Sequence, residues 1–493
     1  NVVVGDEAGT ALTTGDGNTA IGFEALKTAT TASNNTAIGL NALKLNTSGA
    51  QNTAVGRLSA DALTEGSANV ALGNAALTAD TLGSKSVAVG NSALGAQNFT
   101  TATDTYNTAV GYNAGTLVTT GANNTLIGGL SGDALTTGAG NVSVGTSSLS
   151  ASQTGNNGTA VGYGALAATT TSDNTGIGYL AGQAVTTGER NTLIGANAGD
   201  ALTDADYNIA LGWSALGADT LGSRSTALGY NALSSQNFTT ATDAYNVAVG
   251  MFAGEAVTTG IQNTLIGSLA GVALTDADRN VAVGLEALAA DTLGSNSVAI
   301  GPLALNNQNF TTATNSYNTA VGANAGTAVT TGIENTLVGG LAGDAITTGS
   351  QNVALGYLAL SSDDLGSDSV AIGKGALENQ NYTTATNSYN TAVGRDAGND
   401  ITTGVSNTLV GGLAGDALTD ADFNVAIGMQ ALTADTLGSR SVAIGLEALA
   451  TQNFTTATDA YNTAVGAGAG QAVTTGVKNT IIGGLAADRL TDA

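Results

Sequence analysis

The sequence predicts an all-β fold, a parallel β-solenoid or β-roll wound from 17- and 21-residue coils. Three observations carry that expectation. A nine-residue motif, N-[TV]-[AL]-[VIL]-G-x-x-A-[LG], recurs from one end of the chain to the other. Its β-branched residues, bounded by Asn and Gly, read as a short strand closed by a turn. The apolar content of 42% comes mostly from Ala, Val, Leu and Ile, with only 4% aromatics, which suits a thin core better than a thick one.

The period comes first. Motif starts at Asn1, Asn18, Asn35, Asn52, Asn69 and Ser86 keep a constant 17-residue step, and Asn107 follows after a longer, 21-residue one. A 72-residue super-repeat then emerges, three short coils and one long, over 246–317, 318–389 and 390–461, with a further start at Asn462. One shortening, between Gly158 and Asn174, interrupts the pattern. Stacked helix pairs need longer repeats and apolar spacing near 3.6, so they are excluded. The expectation is a single continuous shaft over 1–493, part of a longer polypeptide because it opens and stops inside a repeat. At about 4.8 Å per coil its 28 motif starts would make a rod on the order of 130 Å long.

Each position of the motif has an expected task. Asn at position 1 tolerates the left-handed backbone of a corner and can stack into a ladder of amides. Two short strands per coil are expected, near positions 2–4 and 8–9. Position 4 is aliphatic (Val110, Ile127, Val249, Ile266, Val321) and is assigned to the protomer's own core. Position 3 is apolar as well (Ala109, Leu126, Ala248, Leu265), yet neighbouring strand residues face opposite ways. A strand apolar on both faces needs a second cover, so sister chains are expected on the other side, in a homotrimer. Position 5 is Gly (Gly22, Gly111, Gly250, Gly394), for a positive φ or a backbone packed too closely for a Cβ. Position 8 is small (Ala25, Ser131, Ala253, Ala397), where two walls approach.

Composition removes several function classes. With no His and no Cys, the commonest general base and the thiolate nucleophile are missing. The Asp and Ser residues recur in equivalent turns, and nothing singles out a catalytic pair of acids. The chain is therefore expected not to be an enzyme and to need no cofactor or metal. A net charge of −25 and a pI near 4.1 leave no basic stripe for nucleic acid. No apolar run is long enough for a membrane helix. Low charge density and a mean hydropathy of +0.15 argue against disorder.

Three groups of residues stand out as candidate sites. The LTDAD segments (Asp204 and Asp206, Asp276 and Asp278, Asp420 and Asp422) offer carboxylates to a hard cation, but lack a calcium loop's other ligands, so a solvated turn is the simpler reading. The 21-residue coils carry aromatic pairs seven apart: Phe99 and Tyr106, Phe238 and Tyr245, Phe310 and Tyr317, Tyr382 and Tyr389, Phe454 and Tyr461. Exposed, they would form an adhesive rib for a host glycan or protein. Folded back, they would staple the longer loop to its coil, as large apolar groups tend to. Trp213 is assigned to packing. Lys85, Arg224 and Arg440 in GS-[KR]-S corners alternate with Asn296 and Asp368 at the equivalent site, which marks an exposed corner.

The repeated N-[TS]-[VA]-A-[IV]-G-x-x-A pattern resembles the head repeats of YadA-like trimeric autotransporter adhesins, over essentially the whole chain. That resemblance implies a trimeric β-roll. The coils here are longer than in those heads. Their fillers, such as GDALTDADYNIALG and QNFTTATDAYN, look more like repetitive tail-fibre proteins of tailed phages, particularly those of marine cyanobacteria. The resemblance implies an extracellular virion appendage, the shaft of a fibre presenting a receptor-binding tip. A bacterial surface adhesin of the autotransporter class is the alternative.

Overall fold

A computed structural model describes residues 1–492. It falls into two compact units, Asn1–Tyr245 and the residues from Asn246 onward. Each unit is a parallel β-solenoid with fourteen three-residue strands, one per coil, and no helix among the described residues. Within each unit, each strand pairs in parallel with the strand of the next coil, position for position. Across an ordinary coil Thr19 faces Thr36. Across a long coil Val87 faces Thr108. The shortened coil brings Thr159 against Thr175 without a slip in register.

Inside each coil, positions 1, 3, 8, 12 and 15 point inward, as Asn18, Ala20, Ala25, Ala29 and Ala32 do. Position 9 joins them, and its size is matched to positions 3 and 12. Where position 3 is Ala, position 9 is often Leu, as with Ala20 and Leu26. Where positions 3 and 12 are Leu126 and Leu135, position 9 is Gly132, and a Cβ there would lie 2.8 Å from the one and 2.9 Å from the other. The interior of a coil is thus one side chain thick and filled by trading volume between facing positions.

This corrects the inside–outside assignment. Position 3 is buried and position 4 faces outward: Ile127 and Ile266 are each 38% exposed, and Val110, Val249 and Val321 are half-buried. The pleat puts positions 2 and 4 on one side and 3 on the other, and the inward position 3 carries Ala or Leu in most coils.

A second correction concerns positions 8–9, which form a turn. The flanking residues at 7 and 9 take left-handed backbone, as at Glu24 (φ 55°) and Leu26 (φ 51°), which breaks any extended run. Among the described residues a second strand exists only where a long coil stacks on the coil before it, as Gly83–Ser84 on Thr103–Asp104. Gly111 at position 5 has φ 144°, and a Cβ there would sit 2.3 Å from the Gly128 carbonyl oxygen. Both reasons anticipated for this glycine hold.

The Asn column ties coil to coil. The Asn35 backbone N–H donates to Asn18 Oδ1 (2.9 Å), while Asn35 Nδ2 donates to the Gly49 carbonyl at position 15 (2.9 Å). Asn52 repeats the arrangement with Asn35 and Gly66. Direct amide–amide bonds are fewer and longer, such as Asn35 to Asn18 at 3.3 Å. The ladder is therefore mostly side chain to backbone, and each buried amide closes its own corner while receiving the next coil.

Candidate interaction surface

The outward strand face is apolar along each unit. Position 2 is Thr, Val or Ile, position 4 is Val, Ile or Leu, and exposed members include Ile209, Leu211 and Ile300. Next along the chain, position 6 adds large exposed groups such as Phe23, Tyr112, Met251, Leu285 and Tyr357. Two ring pairs stack between successive coils at this position. Tyr163 lies over Tyr179 (centroids 5.7 Å apart) and Trp213 over Tyr230 (5.0 Å). Trp213 does pack, though on the surface, where it is 46% exposed. The motif left position 6 unspecified, so the column was missed; its signal was the recurrence of Tyr, Leu and Met directly after the glycine.

The aromatic pairs of the long coils divide between inside and outside. Phe99, Phe238, Phe310, Tyr382 and Phe454 are buried and staple the loop to its coil. Tyr382 carries its extra hydroxyl to the Gly404 carbonyl (2.7 Å). Tyr106, Tyr245, Tyr317, Tyr389 and Tyr461 stand at the corner, each at least half exposed. Cations lie over some of these rings: Lys85 over Tyr106 (5.2 Å), and Arg224 over both Tyr207 (4.9 Å) and Tyr245 (5.8 Å). Arg440 bridges Phe423 (4.8 Å) and Tyr461 (5.8 Å) in the same way. A ring face under a cation is already engaged, as at Tyr106, Tyr245 and Tyr461.

The corner cations also pair with acids of the next coil: Lys85 with Asp104 (2.6 Å), Arg224 with Asp243 (2.9 Å), Arg440 with Asp459 (2.9 Å). The LTDAD acids are spent in a similar way. Asp204 accepts from the Thr187 hydroxyl (2.7 Å) and Asp206 from the Glu189 N–H (2.8 Å), each bracing the preceding coil. Asp276, Asp278, Asp420 and Asp422 repeat the pattern. Among the described residues no three acids, His or Cys gather to hold a metal ion.

One polar cluster lies wholly inside the coils and was not anticipated. Asp80, Asp219, Asp291, Asp363 and Asp435 occupy position 12, fully buried, where most coils outside these pairs carry Val, Leu or Ile and a few carry Ala29, Asn46, Ser152 or Thr169. Asp291 Oδ1 accepts the N–H groups of Gly294 (3.0 Å) and Phe310 (3.1 Å), and its Oδ2 accepts from Gln308 Nε2 (2.5 Å). Gln308 also donates to Ser297 Oγ (2.8 Å) and accepts from Asn318 Nδ2 (2.9 Å). One acid thereby links three successive coils. Burial pushes the carboxyl up from its ordinary range at all five sites, against the opposing pull of the Gln and backbone donors. Its sequence signal was an acid recurring in phase with a Gln one coil later, as ADTLGS is followed by QNF.

No protein-family model matches the chain, and no curated protein matches it.

Proposed function

We propose that this chain is one protomer of a homotrimeric extracellular fibre, a structural segment of a phage tail-fibre shaft that holds a host-binding tip away from the particle. The outward strand face supports the assembly. Exposed aliphatic columns that run coil after coil are what a solenoid buries against copies of itself, and the pairing rule already makes every coil present the same residues. The placement on a virion rests on the resemblance of the repeats. On this reading the shaft works by stacking and carries no catalysis.

Sedimentation velocity and native mass spectrometry of the chain test the assembly. The expected species is a trimer. Ile266→Asp, Val283→Asp and Ile300→Asp together put charge at position 4 of three successive coils and should release monomers whose circular dichroism stays β-rich. A wild-type chain that sediments as a monomer at micromolar concentration overturns the reading. Antibodies to 246–317 should also label tail appendages on the source particle.

A further inference from the structure

Nearly identical coils raise a question of register. The strand at 2–4 and Gly at 5 recur from coil to coil, and position 1 is Asn except for Ser in the long coils and Gly158, so the strand ladder alone scarcely distinguishes stacking on the next coil from stacking on the one beyond. Position 12 does distinguish them. In the second unit it runs Val257, Leu274, Asp291, Gln308, Val329, Ile346, with the same cycle repeating. We infer that the buried Asp–Gln pair, together with its matched corner, is a register lock that sets each Asp coil against a Gln coil and excludes stacking that skips either one.

The lock has two levels. Inside, skipping the Asp coil would set Gln308 on Leu274, and skipping the Gln coil would strand Asp291 against Val329 without the Gln308 and Phe310 donors. A buried carboxylate stripped of donors is strongly disfavoured. Gly294 makes the fit specific, since a Cβ there would lie 2.1 Å from Asp291 Oδ2 and 2.8 Å from the Phe310 ring. Outside, the corner residue of each Asp coil agrees in charge with that of its Gln coil. Lys85, Arg224 and Arg440 meet Asp104, Asp243 and Asp459. Asn296 instead meets Asn315 (2.7 Å), and the coil of Asp368 stacks on that of Asn387 through Ser367. The inner pair thus recognises the type of coil, and the corner separates the cation–Asp repeats from those of Asn296 and Asp368. Acid faces acid in none of the five.

The chain has no cysteine, so disulfides can report the register. Adjacent rungs are about 4.8 Å apart, within disulfide reach, whereas two rungs are too far. Asn296→Cys with Asn315→Cys reads native stacking. Arg279→Cys with Asn315→Cys reads a skipped Asp coil. Each pair is placed in the wild-type chain and in an Asp291→Leu, Gln308→Val background, and the chains are refolded from denaturant and oxidised. The wild-type chain should close the first pair nearly completely and the second not at all. In the apolar background the first yield should fall severalfold and the second should appear, with the melting temperature held or raised. Unchanged yields in the apolar background overturn the inference. So does loss of the first pair without gain of the second together with a lower melting temperature, because the cluster would then serve stability alone.

Discussion

Position 12 shows how much a single buried side chain decides in a core one residue thick. Asn46 sits there fully buried, between the coils of Ala29 and Leu63, and neither its Oδ1 nor its Nδ2 finds a partner. An unsatisfied buried amide costs about 1–3 kcal/mol, and Ala29 beside Leu26 shows that the slot takes a small apolar side chain when position 9 is Leu, as Leu43 is in the coil of Asn46. Asn46→Ala should therefore raise stability by about 1 kcal/mol, read as a higher denaturation midpoint at unchanged slope; a lower midpoint would show that the amide is engaged. Residue by residue, the sequence yielded the motif but misassigned its two apolar columns. Size misled, because Val and Ile at position 4 look more like core than Ala at position 3. The thin interior inverts that expectation, since Ala20 needs little space across from Leu26. Left-handed Leu is also illegible in sequence: Leu26, Leu43 and Leu77 hold φ near 50°, a conformation costing roughly 1 kcal/mol or more that burial of the side chain offsets.

The long coil is the element that departs most from its neighbours, and the buried acid of the coil it stacks on predicts a pH response. An acid whose carboxyl is raised by folding holds its proton more tightly in the folded chain than in the unfolded one. For Asp80, Asp219, Asp291, Asp363 and Asp435 the shift is upward from an ordinary value of 3.8. Their contribution is thus complete below that value and is lost as pH rises through the raised one. The melting temperature should climb as pH falls from 7 to about 4, and changing all five to Asn should flatten the climb. A wild-type chain that melts earlier as it is acidified would contradict the assignment. The strand, its glycine and the two coil lengths were legible because each repeats in phase. The Asp–Gln cluster was not, since its members lie a full coil apart and meet only through stacking. For the aromatic pairs the sequence named the residues but not their sides; the Phe99 ring goes in and the Tyr106 ring stays out because only the first follows the N–H that Asp80 holds.

At the scale of the whole molecule, charge is unbalanced: 37 acids against 12 bases, for a net −25. At low salt the screening length exceeds the spacing between coils, so carboxylates on successive coils repel across several rungs. Raising sodium chloride from about 10 mM to about 150 mM should raise the melting temperature. No change would mean that the local pairings, such as Arg224 with Asp243, already neutralise the surface where it matters. The extra residues of each long coil point to a different use for this architecture. They enter after Phe99, whose N–H is fixed by Asp80, and leave through Thr103–Asp104, which pairs again with Gly83–Ser84. Between those anchors Thr100, Thr101 and Ala102 are exposed, so a change of length there leaves the inward columns undisturbed. Every fourth coil of the super-repeat therefore offers a socket where a foreign peptide can be grafted, giving an epitope display with one copy per super-repeat.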